Sequence, residues 1–167
     1  MTEAQYLDWL KDQFARRCVL IEVAARVNGT ETMFYMATKP FTTSPTDSPA
    51  NTAYQAIATV GTLFTERLSL DGDGALSAGE LEIDNTAGVR DAWAGTGYVW
   101  KNREIKAYIG DIRWPRADFR MIFNGIVADI APQGRNKLVL NLRDKLQRLN
   151  TAITERSEEH TSELQSL

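Results

Sequence analysis

One stretch of the chain carries residues spaced for a metal site. Ser69 to Glu80, SLDGDGALSAGE, aligns with the calcium loop of an EF-hand and places Asp71, Asp73 and Glu80 at ligand positions. Gly74 falls where such a loop must turn sharply around the cation. Because several oxygens must converge on calcium, a calcium-binding module that uses these three carboxylates is one hypothesis for the function.

Two features of the same stretch argue against calcium. Ser69 stands at the first ligand position, where the pattern requires Asp, so one carboxylate is missing. An EF-hand loop leads into a helix, whereas Glu80 to Asp84 alternates between polar and apolar residues as a strand does. The favoured interpretation is a turn between two strands, with Glu80 and Glu82 on the solvent face and no cofactor.

The remaining residues indicate no catalytic site. The only histidine is His160, so residues 1–155 contain no imidazole for a triad, a metal site or the usual general base. The sequence has no phosphate-binding glycine loop, no paired cysteine motif and no nucleophile elbow. Its single cysteine, Cys18, allows no internal disulfide. We therefore expect a protein that is not an enzyme.

Charge and hydropathy argue against two classes of partner. The formal net charge is −3 at pH 7, and the arginines are dispersed among acidic residues, so we expect no nucleic-acid partner. The longest apolar run, Cys18 to Ala25, is interrupted by Glu22 and is too short to span a bilayer, so we expect no membrane association.

The end of the chain differs in origin from the rest. Arg156 to Ser166, RSEEHTSELQS, matches the in-frame translation of a common short-read sequencing adapter. We therefore interpret residues 156–167 as an artefactual disordered tail. Residues 1–155 are then one β domain, which we expect to be incomplete at its C-terminus and to carry an unpaired strand edge.

The stretch from Gly79 to Leu149 predicts the scaffold. Leu81 and Ile83 alternate with acidic residues, and a period of two places the two sets on opposite faces of a sheet. Three later runs, Val99 to Asp111, Phe119 to Ile130 and Lys137 to Leu149, also read as strands. Short strands joined by Gly-, Asn- and Pro-containing connectors predict a mainly β fold, an antiparallel β-barrel or sandwich with a short N-terminal helix.

The N-terminal half supplies further elements. Apolar residues at helical spacing predict an amphipathic helix within Glu3 to Arg16, packed on the sheet. Asn28-Gly29 predicts a hairpin turn between strands at 18–27 and 31–37. The segment 38–52, rich in Thr, Ser and Pro, reads as a long surface loop, and 54–68 as a strand.

Two connections and a core complete the predicted layout. Residues 85–97 form a glycine-rich turn from which Trp93 plugs the barrel end, and 113–117 form a tight exposed connector. We expect the 38–52 loop and the 113–117 connector to lie at subunit contacts. The predicted core consists of Trp93, Trp100, Ile105, Ile109, Phe123, Ile126 and Leu140.

Five blocks, GELEIDN, TAGVRDAW, NREIKAYIGD, FRMIFNGIVADI and NLRDKLQRLN, occur in an order that resembles tail proteins of tailed bacteriophages, in the hub or baseplate group. The resemblance covers residues 6–150. It implies β-barrel domains that assemble as a ring, commonly a trimer, and that join the tail tube to the tip spike or fibres. It further implies other tail proteins as partners, a location at the virion tail tip, and assembly in the host bacterial cytoplasm.

The resemblance carries over no catalytic residues. A third hypothesis, a carbohydrate-binding or hydrolytic accessory domain, requires either paired carboxylates or an aromatic platform in a cleft. For that platform, Trp100 and Trp114 would have to be exposed.

Overall fold

A computed structural model describes residues 1–68 and 74–145 of the chain. Within these ranges the fold is mainly β, with one short α-helix, α1 (Glu3–Lys11). Three short 3-10 helices lie in connections: η1 (Thr86–Gly88), η2 (Asp91–Ala94) and η3 (Arg116–Asp118). The strands are β1 (Arg17–Val27), β2 (Thr30–Ala37), β3 (Phe41–Thr42), β4 (Ala53–Ala56), β5 (Ala58–Leu68), β6 (Gly74–Asp84), β7 (Tyr98–Val99), β8 (Glu104–Asp111), β9 (Arg120–Pro132) and β10 (Lys137–Asp144).

The strands form one curled sheet with the shape of a half-barrel. Their order is β3-β4-β2-β1-β8-β9-β10-β6-β5, and β7 pairs with the end of β1. All pairs are antiparallel except β2 with β4. The segment 53–68 runs from one end of the sheet to the other, because β4 pairs with β2 and β5 pairs with β6. The predicted fold class is confirmed.

The β1–β2 hairpin turns where the sequence predicts it. Asn28 and Gly29 have φ angles of 49° and 88°, and Val27 lies opposite Thr30. Asn and Gly are the residues that most readily adopt two successive positive φ angles, which a two-residue hairpin turn requires.

Helix α1 is shorter than predicted. It begins with a capping box, in which Thr2 and Gln5 each accept a hydrogen bond from the backbone N–H of the other. It ends at Lys11, because Asp12 takes an extended backbone and its carboxylate accepts a bond from the Phe14 N–H at 2.8 Å. Phe14, predicted to lie on the apolar stripe, is 77% exposed instead.

The main core lies against one face of the sheet. Alternation along β8 and β10 points Ile105, Ala107 and Leu140 into it, as predicted. Of the seven predicted core residues, Trp100, Ile105, Ile126 and Leu140 are buried, whereas Trp93, Ile109 and Phe123 are half-buried and pack against the main core. The buried residues of the main core are Val19, Ile21, Val23, Ala25, Met36, Ile57, Ala58, Leu81, Ile83, Trp100, Ile105, Ala107, Val127, Leu138, Leu140 and Leu142.

The glycine-rich connection 85–97 closes over this core. Its helix η2 presents Trp93, whose ring centroid lies 5.0 Å from that of Phe34 and 5.4 Å from that of Trp100. Trp100 donates its indole N–H to the carbonyl oxygen of Trp93 at 2.7 Å. Trp93 therefore packs against the main core, as the sequence predicts. In the described parts of the chain, no helix has the length and apolar character needed to span a membrane.

Candidate functional site

Two connecting segments meet on the face of the sheet opposite the main core. Phe41 comes from the 38–52 segment and Phe119 follows the 113–117 connector, and their ring centroids lie 5.0 Å apart. Both rings belong to a second cluster, which is supported by alternate residues of β1. The buried members of the second cluster are Cys18, Leu20, Ala37, Phe41, Tyr54 and Phe119. The structure thus brings together the two segments that the sequence predicts at subunit contacts.

A buried ion pair fixes the connector to the sheet. Arg116 donates from Nη2 to Glu22 Oε1 at 2.7 Å, and Tyr54 donates its hydroxyl to the same oxygen at 2.6 Å. The guanidinium carbon of Arg116 lies 3.7 Å from the ring centroid of Tyr108. We call Arg116, Glu22, Tyr54 and Tyr108 the Arg116 clamp. It ties β1, β4, β8 and η3 to one another.

Arg116 in the connector is less exposed than the sequence predicts. Arg116 was expected on an exposed connector, but the residue is only 8% exposed. Burial disfavours its charged form, yet hydrogen bonds to Glu22 and Tyr54 outweigh burial and raise the pKa of Arg116. Burial and the bond to Glu22 raise the pKa of the Tyr54 hydroxyl, which therefore stays a donor at neutral pH.

A buried carboxylate joins α1 to the sheet. Asp111, at the end of β8, is fully buried and accepts hydrogen bonds from the Trp9 indole at 3.1 Å, the Arg16 backbone at 2.8 Å and the Arg113 side chain at 2.7 Å. The Arg113 guanidinium is the largest influence and, with the other donors, lowers the pKa of Asp111 despite burial. We call this set the Asp111 junction.

The 38–52 segment is fixed at its ends and exposed in the middle. Thr43 and Thr52 bond through their backbones at 3.0 Å, and Thr43 is buried. Asp47 accepts a bond from the Ser44 N–H at 2.8 Å, and this bond is the main reason that its pKa is lowered. The exposed residues between Ser44 and Asn51 and those of the neighbouring connector form what we call the anchored surface: Ser44, Pro45, Thr46, Ser48, Ala50, Asn51, Arg113, Pro115 and Ala117.

The anchored surface presents groups that suit contact with another protein. Its exposed side chains are short, polar or conformationally restricted. The buried side chains of Arg116 and Asp111 hold the surface in place. Within residues 1–68 and 74–145, no three His, Cys, Asp or Glu side chains converge as a metal site would require. The exposed groups of this surface can take part in hydrogen bonding and shape recognition.

Comparison with known proteins adds a likeness in fold. No protein-family model matches the sequence, and no curated protein matches it. Among solved structures, a chain of the "Virion of native gene transfer agent (GTA) particle" aligns with a TM-score of 0.57 and 13% identity. The alignment covers 90% of this chain and 47% of that chain, so this chain spans less than half the length of its neighbour. At this identity the likeness shows the fold alone.

The calcium hypothesis falls mainly outside the described residues. Asp71 and Asp73 lie in the undescribed range 69–73. Glu80 lies on β6, is exposed, and stands opposite Asn141 of β10. The strand β6 already begins at Gly74, so a strand occupies the position where an EF-hand has its second helix. Alternation from Glu80 to Asp84 predicts this strand, and calcium binding itself stays a prediction.

Sequence reasoning missed the partners of Glu22 and Asp111, although both residues gave a signal. Glu22 interrupts the apolar run from Cys18 to Ala25, and Asp111 shares the core-facing parity of Ile105 and Ala107. A carboxylate at such a position must find donors when it is buried. Arg116 gave no signal, because a connector has no periodicity that separates buried from exposed residues.

Proposed function

We propose that this chain is a structural protein of a phage-like virion, and that it works at the tail tip as a hub or baseplate subunit. The observation that carries the proposal is the likeness in fold to a virion chain over 90% of the present chain. The order of the five sequence blocks supports it independently, since that order resembles tail hub proteins.

In this role the protein acts through geometry. The Arg116 clamp and the Asp111 junction hold the anchored surface rigidly on the half-barrel, so little conformational entropy is lost when a neighbour binds. The proposed neighbours are other tail proteins and further copies of the chain, arranged as a ring that is commonly trimeric in the family it resembles. The ring connects the tail tube to the tip spike or fibres and needs no catalytic group.

Immunogold electron microscopy tests the proposal. An antibody raised against the full chain is applied to particles purified from the source sample, and we expect gold at one end of the tail. Labelling of the capsid, or along the whole tube, would contradict the tip location. Unlabelled particles, when the same antibody detects the soluble chain in the lysate, would contradict the virion role.

A further inference from the structure

A cleft lies between α1 and the connector after β8, beside the Asp111 junction. It is shallow and widely open to solvent, with a volume of about 540 Å³. Clefts that bind small ligands commonly enclose 300–1,000 Å³. Its lining residues are Met1, Gln5, Trp9, Trp114 and Asp118. The size therefore suits a ligand of one to a few small rings.

The floor of the cleft is aromatic. The ring centroids of Trp9 and Trp114 lie 4.6 Å apart. Trp9 is buried, whereas Trp114 is half-buried and also packs against the second cluster. Trp100, the other tryptophan considered for an aromatic platform, is only 2% exposed in the main core, so the expectation that both are exposed is wrong and Trp114 alone can serve. The Trp9 indole N–H is bonded to Asp111. The Trp114 indole N–H has no hydrogen-bond partner in the described chain, where no buried side-chain nitrogen or oxygen lacks a partner. It is therefore at least partly accessible to solvent.

The rim of the cleft adds both hydrogen-bond donors and hydrogen-bond acceptors. Asp118 Oδ1 accepts a bond from the Met1 amino group at 3.1 Å, and Oδ2 has no partner in the described residues. Gln5 Oε1 accepts the Thr2 N–H at 2.9 Å, and its amide N–H groups have no partner in the same residues. The cleft thus combines an aromatic ring with free donors and one free acceptor.

This combination narrows the chemistry of the ligand. The Met1 amino group balances the charge of Asp118, so neither an anion nor a cation is favoured. The polar rim also disfavours a purely apolar ligand, because such a ligand would leave rim donors and acceptors unpaired. A pyranose satisfies both parts of the cleft: its C–H face packs on an indole ring, and its hydroxyl groups both donate and accept.

We propose that this cleft binds a neutral hexopyranose unit of an oligosaccharide. Trp114 stacks on the sugar ring, Asp118 accepts from hydroxyl groups, and Gln5 and the Trp114 indole donate to hydroxyl oxygens. Asp118 is the only carboxylate among the described lining residues, so the cleft lacks the acid–base pair of a glycosidase. The inference is binding, and it does not depend on the virion role.

NMR spectroscopy of the ¹⁵N-labelled full chain tests the proposal through the indole N–H signals of its tryptophans. The chain has four tryptophans, and Trp114→Phe identifies the signal of Trp114 by removing it. Maltotriose, cellotriose and chitotriose are each titrated through the millimolar range. We expect one of them to shift the Trp114 signal saturably with a Kd on the order of 1 mM. The Trp100 signal should not move, since its N–H is bonded to Trp93 away from the cleft.

Variants separate binding in the cleft from binding elsewhere. Isothermal titration should show roughly tenfold weaker binding for Trp114→Phe and for Asp118→Asn, because each substitution removes one polar contact to the sugar. The matched control is Phe14→Ala, which removes an aromatic ring that is exposed but does not line the cleft. It should leave the affinity unchanged.

Three results would overturn the proposal: no saturable shift of Trp114 with any of the three trisaccharides, an affinity unchanged in both cleft variants, or a shift confined to the Trp93 and Trp100 signals. None of these results alters the expected gold labelling.

Discussion

At the scale of single residues, buried charges hold the connections of this protein in place. Asp111 shares the core-facing parity of Ile105 and Ala107 on β8, and Glu22 stands in an apolar run of β1 whose residues are buried on both faces, so both positions predict a carboxylate with little exposure. Their partners, Arg116 and Arg113, come from a turn that has no periodicity. The sequence could therefore predict that a carboxylate is buried, but it could not predict which cation meets it.

Removing Arg116 should destabilise the fold strongly. Arg116→Ala leaves the Glu22 carboxylate buried without its cation, with side-chain exposures of 9% and 13% for the pair. Breaking a buried pair in this way costs about 3 kcal/mol. Urea denaturation of the variant and the parent chain measures the difference. Arg135→Ala, at an exposed arginine, is the control and should stay within about 0.5 kcal/mol of the parent.

A double variant distinguishes the ion pair from simple packing. Glu22→Leu with Arg116→Met replaces both charges by apolar side chains, which often preserves stability at a buried pair. It should be more stable than Arg116→Ala alone. If the double variant is instead less stable than Arg116→Ala, the unpaired Glu22 carboxylate is not the main cause of the loss.

The Asp111 junction predicts a stability that depends on pH. The folded-state pKa of Asp111 is lowered, so its contribution is complete well above the unfolded value of about 4 and is lost as pH falls below it. Asp111→Asn removes this contribution at neutral pH. Unfolding free energies between pH 7 and pH 3 should therefore fall less steeply in the variant. Equal slopes would show that the carboxylate is not paired in the folded state.

At the scale of secondary-structure elements, local sequence signals predict the hairpin turn reliably. They do not predict the side-chain hydrogen bonds that end helix α1. The Asn28-Gly29 hairpin is set by two residues that tolerate positive φ, so the sequence alone predicted it. The end of α1 depends on Asp12, whose carboxylate competes for a backbone N–H, and on Arg17, whose side chain donates to the carbonyl oxygens of Leu10 and Asp12. The helical spacing of apolar residues predicts neither the Asp12 contact nor the Arg17 contacts.

The β5–β6 connection yields a prediction about calcium. Because β6 begins at Gly74 and no helix follows the loop, the second half of an EF-hand is absent from residues 74–84. We expect isothermal titration of calcium to show no micromolar binding, and Asp73→Ala to give the same trace as the parent chain. Micromolar binding that Asp73→Ala abolishes would instead establish the calcium module.

At the scale of the whole molecule, alternation predicted the fold class but not the order of strands. The strand β1 pairs with β8, far along the sequence, and the segment 53–68 links β2 to β6. Such pairings depend on the shape of the whole core. The same long-range packing gathers the 38–52 segment and the connector into the anchored surface, which neither segment specifies alone.

If the anchored surface is the contact between copies in a ring, one exposed substitution there should prevent assembly without unfolding the subunit. Thr46→Arg adds a long charged side chain at the exposed middle of the 38–52 segment, where a neighbour would have to bury it. Thr96→Arg makes the same change at an exposed residue between η2 and β7, away from this surface. By size-exclusion chromatography with light-scattering detection, we expect oligomers for the parent chain and for Thr96→Arg but monomers for Thr46→Arg, with equal melting temperatures for all three. Oligomers that persist in Thr46→Arg would place the contact elsewhere on the molecule, and the expected role of the 38–52 segment would be wrong.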